Sequence, residues 1–343
     1  SGILKEYYNF IKDNIDITYD VNSEKIDNTN MMYQWVGGQF YYNDYYAIPN
    51  GMSSFLFFDK ENGKQKYIGN FHNGTFKWTG GGIYNDNLYV FPRKESRLIK
   101  MNLKTHKINM IDSRIESFNE HHYGGVITEE GIAYQPPRNS DYILVWNLNI
   151  NEVTKIHITP KWLNAKLRYC GSVVHPNGYI YFLPEKNNRV IKLNIETKKW
   201  KFIGKPITSM TFDVKIAGDG NIYGFSAYEQ GILKIDVSND AVTMIHKEIT
   251  PGSYGTKLGL NGKLYSIPGD GDVIWEYDVL CDKLTSICKL EDQSKAKFAG
   301  GAISVDGVIY STPATSDKIL ILYPSRLQNI PSKIYKTFFC DFY

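Results

Sequence analysis

A unit of about 44 residues recurs seven times from Trp35 onward, and a chain built that way has few folds open to it. Each unit opens on an aromatic residue: Trp35, Trp78, Tyr123, Tyr169, Phe212, Tyr254 and Phe298, separated by 43, 45, 46, 43, 42 and 44 residues. Eleven or twelve positions later comes Tyr46, Tyr89, Tyr134, Tyr181, Tyr223, Tyr265 or Tyr310. Three residues beyond each Tyr stands Pro49, Pro92, Pro137, Pro184, Pro268 or Pro313, with only Ser226 breaking the series.

The segment from Tyr169 to Ile203 shows what one unit contains. Gly171 to Val174 reads as a short strand, and Pro176-Asn177-Gly178 as a hairpin turn that needs positive φ. Tyr179 to Leu183 is a second strand ended by Pro184, Val190 to Asn194 a third with period-two alternation, and Trp200 to Ile203 a fourth. Four antiparallel strands in so short a unit make one propeller blade. The expected fold is therefore all-β: a seven-bladed β-propeller of four-stranded antiparallel blades. An Asx residue closes most third strands (Asp59, Asn102, Asn147, Asn194, Asp236, Asp278; Tyr323 departs) and suits the tight turn that follows. The openers and the Tyr series read as inter-blade core, although a stacking ring for sugars or bases would use the same residue types. Small pairs such as Gly80-Gly81 and Gly300-Gly301 belong on the crowded innermost strands; Asp213-Val214 departs and is expected to widen the channel at blade five.

A ring must join its ends or leave a sheet edge exposed. The alternating segment Asp16–Val21 is expected to complete blade seven, with Ile334–Phe339 as the competing strand and Asn329-Ile330 a weaker one. Apolar residues at helical spacing (Ile3, Leu4, Tyr7, Tyr8, Ile11, Ile15) predict a short N-terminal helix capping one end of the ring. The organisation expected is thus 1–34 helix plus closing strand, 35–323 propeller repeats, and 324–343 a tail packed on the propeller.

A net charge of +3 is too weak to imply nucleic acid. No apolar run reaches the length of a membrane helix. Four cysteines at spacings that fit no metal knuckle lean towards a reducing, cytoplasmic setting; Ser1-Gly2 leaves a removed leader or a flanking domain open. The protein is expected to be monomeric.

Function has to lie where the units differ. Loops joining strand four to the next strand one, and strand two to strand three, share one face of a propeller. Lys77, His122, Arg168 and Lys297 precede opening aromatics there, while Arg93, Arg138, Arg97 and Arg189 lie in or end the strand-two-to-three loops. Together they describe a cationic rim suited to an anionic ligand; scattered surface charge is the alternative. Glu120-His121-His122 is the densest metal-capable run, but neighbouring histidines on a strand point to opposite faces. His175 falls in a turn and is expected at the surface. Asp213, Glu185, Asp270 and Asp272 supply acids for a calcium or magnesium site in the central channel, without a spacing that singles them out. No nucleophile elbow, zincin helix, P-loop or dinucleotide fingerprint sits on suitable elements.

Units such as Asn177-Gly178-Tyr179-Ile180-Tyr181 and Asn221-Ile222-Tyr223 resemble repeats of the propeller superfamily that includes NHL, kelch-like, gluconolactonase-like and streptogramin-lyase-like proteins. Kelch units place their double glycine after the second strand, whereas here it precedes the turn. Streptogramin-lyase-like units carry a His-Gly pair before the first strand, absent from every unit here, and the acidic metal site of gluconolactonase-like enzymes has no residue-by-residue match. The resemblance implies the fold and carries over no functional residue. The leading expectation is a non-enzymatic platform whose cationic face binds an acidic protein segment or glycan, without a cofactor. The rival is a metal-dependent lactonase- or lyase-like enzyme using Asp213, His122 and Glu120 at the channel mouth; the chain as one module of a larger protein is a third reading.

Overall fold

The computed structural model describes residues 2–13, 20–26, 31–113, 122–158, 167–185, 188–324 and 332–339. Seven antiparallel sheets form the blades of a propeller. The innermost strands are Trp35–Tyr41, Trp78–Tyr84, Val126–Ile127, Leu167–His175, Lys215–Ile216, Ser253–Leu258 and Phe298–Ile303. Each is followed outward by three more strands, and blade four gains a fifth, Arg138–Ser140, on its inner edge. The hairpins between first and second strands come in two lengths. Blade two uses a two-residue turn with both Asn85 (φ 48) and Asp86 (φ 56) left-handed. Blades three to seven use a longer turn whose glycine N–H returns to the last strand residue or its neighbour, as in Gly178 to His175 (3.1 Å).

The repeat residues do what their chemistry predicts. All seven strand-two tyrosines are buried. Several of their hydroxyls hold nearby side chains: Tyr223 donates to Asp219 (2.7 Å), and Tyr265 donates to Glu276 (2.7 Å). The Asx residues accept from the backbone two or three residues on, as Asp236 does from Ser238 N (2.9 Å) and Asn194 from Thr197 N (2.7 Å). Gly301 has φ +152, and a Cβ there would lie 2.0 Å from the Tyr310 carbonyl oxygen, so the tightly packed inner strand excludes a side chain.

The openers divide in a way that constant spacing concealed. The residues facing the seven tyrosines across the first hairpin are Gln39, Gly82, Val126, Val173, Lys215, Lys257 and Ala302. Counting four residues back from each reaches Trp35, Trp78 and Tyr169 in blades one, two and four, and Phe298 in blade seven, but His122, Thr211 and Ser253 in blades three, five and six. Tyr123, Phe212 and Tyr254 are therefore one residue out of register. A one-residue slip sends a strand side chain to the opposite face. They leave the inter-blade core and join Val36, Cys170 and Ala299 in a cluster on the propeller axis.

Blade seven closes on the N-terminal segment. Asp20–Lys25 pairs antiparallel with Lys318–Tyr323, from Asp20 opposite Tyr323 to Lys25 opposite Lys318. The strand thus starts within the segment that alternation marked, at Asp20, and runs beyond it; residues 16–19 of that segment, like the weaker candidate 329–330, fall outside the described residues. Ile334–Phe339 is not a strand: Ser332–Ile334 is α-helical and Tyr335–Phe339 is a π-helical turn. That turn and the N-terminal helix, Gly2–Asp13, pack together, with Tyr7 stacked on Phe338 at 4.1 Å and donating to the Ile216 carbonyl (3.3 Å).

Candidate functional site at the channel mouth

The loop face gathers some of the basic residues and turns others away. Lys77 is 1 % exposed, and its ammonium donates to the carbonyls of Gly51 (3.0 Å) and Gly74 (2.9 Å). Lys297 is equally buried and donates to the Ser294 carbonyl (2.9 Å). Both cap loop carbonyls in the same manner, and burial lowers the pKa of each, that of Lys77 to about 8. Arg97 and Arg189 are exposed at the starts of third strands, where their backbone carbonyls accept from Trp78 Nε1 (2.9 Å) and Tyr169 Oη (2.8 Å). His122 is fully buried, and its Nε2 lies 3.3 Å from the Tyr142 carbonyl. It occupies the register position of Trp35, whose indole bonds Ser54 O (2.9 Å) in the same way.

Arg93, Arg138 and Arg168 do converge. The Arg93 guanidinium lies between two rings, 4.1 Å from Phe76 and 4.8 Å from Tyr123. Arg138 stands 5.1 Å from the centre of Tyr123. The extra edge strand of blade four then sets Arg138 directly opposite Arg168, a like-charge cross-strand pair. Glu185 resolves the conflict. Its carboxylate lies 3.2 Å from Arg138 Nε and 3.2 Å from Arg168 Nη2, and its own N–H donates to the Arg168 carbonyl (2.8 Å). Arg138 and Glu185 are nearly buried, whereas the Arg168 side chain is 43 % exposed and reaches solvent.

The opposite wall is aromatic. Phe212 packs 5.9 Å from Tyr123 and 5.2 Å from Tyr254, and half-exposed Tyr228 stands 6.5 Å from Tyr254. Tyr33 lies 5.3 Å from Phe76. Rings and guanidiniums thus form a collar, with Asp270 behind Tyr254. Burial, then the hydrogen bond with Tyr228 and the charge of Asp270, push the Tyr254 phenol well above its ordinary value, so it is a hydrogen-bond donor at neutral pH. Burial, followed by the carboxylate of Glu185, pushes the Cys170 thiol up to about 12, and its Sγ lies 3.4 Å from the Thr211 carbonyl. That sulfur is an inert wall of the site.

The acids that suggested a metal are otherwise engaged. Asp213 is bonded by Lys257 (2.7 Å) with Lys215 at 3.7 Å, Asp270 accepts from Ala296 N (2.9 Å), and Asp272 lies 3.4 Å from Lys289. Glu120 and His121 fall outside the described residues. No three His, Cys, Asp or Glu side chains come together as a metal cluster among the described residues. His175 is buried, contrary to its expected exposure: Nε2 lies 2.9 Å from Gly220 O and Nδ1 accepts from Asn177 N (3.1 Å).

The family model described as a domain of unknown function (DUF5074) matches residues 37–298, more than half of the chain. The chain belongs to that family. No curated protein matches it in sequence. Among solved structures, a streptogramin B lyase superposes with a TM-score of 0.74 at 11% identity, covering 90% of this chain and 98% of its own. A catalytically inactive virginiamycin B lyase from Staphylococcus aureus with quinupristin gives 0.73 at 13% identity, covering 91% of this chain and 100% of its own. The selenomethionine form of the S. aureus enzyme gives 0.72 at 12% identity over 91% and 100%. At such identities the likeness shows the seven-bladed fold, and it leaves the site to its own chemistry. Among the described residues no helix is long and apolar enough to cross a membrane.

Proposed function

We propose that this protein is a non-catalytic binding platform whose channel mouth holds an acidic protein segment or an acidic glycan. The observation that carries the reading is the placement of Arg168 opposite Arg138 on neighbouring strands, with Arg93 stacked on Tyr123 beside them. The edge strand that creates this arrangement is an addition to the blade plan. Solvent-facing Arg168 offers a forked donor to an incoming carboxylate, and the collar of Tyr33, Phe76 and Tyr228 offers flat surface for the rest of the ligand. A charge-assisted contact of this kind contributes about 1.5–3 kcal/mol, so Arg168→Glu should weaken binding by roughly 10- to 100-fold. Isothermal titration with a poly-glutamate peptide and with a uronic-acid oligosaccharide tests it. Equal affinity of wild type and variant for both probes, or no binding of either, counts against the proposal.

The full-length likeness to streptogramin B lyases favours one second reading, a lyase-like activity at the same mouth. The residues first considered for it do not assemble, since His122 is committed to the core and Asp213 to two lysines. Incubation with quinupristin, with and without magnesium, decides the matter. Consumption of the substrate that is lost in Arg168→Glu would replace the binding proposal with the enzymatic one.

A further inference from the structure

A cavity of about 570 Å³ lies towards the face opposite the arginine mouth. Its wall includes the first hairpin of blade four, residues 175–178, and the turn at 194–196 that joins the third and fourth strands of that blade. Cys170 and Phe212 of the axial cluster also line it, as does Phe338 of the C-terminal turn. The cavity carries both signs of charge. Glu129, Glu130 and Glu196 stand exposed at its edge together with Lys333 and Lys336. Among its buried groups Asp213 and Lys215 lie 3.7 Å apart. A charged ligand therefore meets groups of its own sign whichever sign it bears, and such approaches are costly. A hydroxyl both donates and accepts, so it can meet carboxylate, ammonium and hydroxyl alike.

We infer that this cavity is a second binding site, for a neutral polyhydroxylated ligand of one or two sugar rings. The volume lies within the range that bound small molecules occupy. Ser172, half-buried on the inner strand of blade four, and Thr337, in the C-terminal turn, both bring hydroxyls to the wall. Thr337 Oγ1 is buried with no hydrogen-bond partner among the described residues, and an unpaired buried hydroxyl carries a cost that a ligand hydroxyl removes. Asn194 spends its Oδ1 on the Thr197 N–H (2.7 Å), which leaves its amide nitrogen as a donor. Val173, Val174 and Phe338 set apolar surface beside these groups, suited to the C–H face of a sugar ring. This site shares no arginine with the mouth, so the two can be tested apart.

Saturation-transfer NMR with glucose, maltose, cellobiose, lactose and trehalose tests the inference, with glucuronate and glucosamine as charged counterparts. The expected result is saturable transfer to at least one neutral sugar, which binds more tightly than either charged one. Thr337→Val keeps the shape and removes the hydroxyl, so it should weaken that sugar by roughly 2- to 10-fold, the worth of one neutral hydrogen bond. Ser172→Trp should fill the cavity and abolish the transfer, and Arg168→Glu should leave it unchanged. The inference is overturned if no neutral sugar of the panel shows transfer, or if glucuronate or glucosamine binds as tightly as the best neutral sugar. It is equally overturned if Arg168→Glu abolishes the transfer, which would place the sugar at the mouth. A Ser172→Trp protein with an unaltered melting temperature that binds as wild type does overturns it as well. Where Ser172→Trp is destabilised, Thr337→Val decides alone, and wild-type affinity in that variant overturns the inference.

Discussion

Glu185→Gln is the most searching perturbation of the mouth, because it should move stability and binding in opposite directions. Glu185 is the one described carboxylate in contact with both Arg138 and Arg168, which face each other across neighbouring strands at 7 % and intermediate exposure. Removing one partner of a fully buried ion pair typically costs about 3–5 kcal/mol. Arg168 reaches water, and glutamine keeps an acceptor oxygen and the backbone bond to Arg168 O, so about 2–3 kcal/mol is the expected loss. In a chain of this size that is a fall of about 3–4 °C in melting temperature. The same change removes the carboxylate that sits on solvent-facing Arg168, so poly-glutamate should bind more tightly and should restore more of the melting temperature in the variant than in wild type. Differential scanning calorimetry with and without the peptide reads both effects. An unchanged melting temperature would refute the structural role of Glu185. A destabilised variant that binds poly-glutamate no better than wild type would refute the anion-binding role of the arginines.

Further outcomes follow from the fold. His246 lies 3.0 Å from Glu248 and 2.8 Å from Asp282; partial burial lowers its pKa, but the two carboxylates outweigh this and leave it raised above 6.5. Its stabilisation is therefore complete below that value and is lost as pH rises through the raised one, so His246→Gln should lower the melting temperature more at pH 5.5 than at pH 8.5, measured by paired thermal scans. Gly301→Ala places a methyl 2.0 Å from Tyr310 O at φ +152, and should destabilise by about 3 kcal/mol or more in urea unfolding, whereas Gly178→Ala, with open space around its Cβ, should show only the smaller strain of its positive φ.

Much of the fold was legible because a propeller asks the same question of every blade. Burial of the seven tyrosines and the Asx turns follows from side chains meeting the same local demand each time. The divided openers were legible too, in a finer signal. Opener to proline is fourteen residues in blades one and two, where the first hairpin is tight, and fifteen in blades four and seven, where it is longer. Tyr123, Phe212 and Tyr254 keep the short spacing beside a long turn, which alone implies that they have slipped onto the axis and that His122 has taken a core position. The site was legible only in its residue types. Of eight basic candidates, three converge, two cap carbonyls, two are exposed at strand starts and one is core, and nothing local to a lysine or arginine says which.

The sequence by itself determined the blade: its strand count, its turns, its buried rings and the number of times it repeats. These depend on interactions within one unit or with an identical neighbour, so period and residue type suffice. The tertiary structure alone decided which units' loops meet. The pairing of Arg138 with Arg168 joins an edge strand between blades three and four, Glu185 enters from a second loop, and Tyr7 of the N-terminal helix meets Phe338 near the other end of the chain. Contacts of that kind are set by how rings close and where side chains point once packed. They leave no periodic trace, because each occurs once.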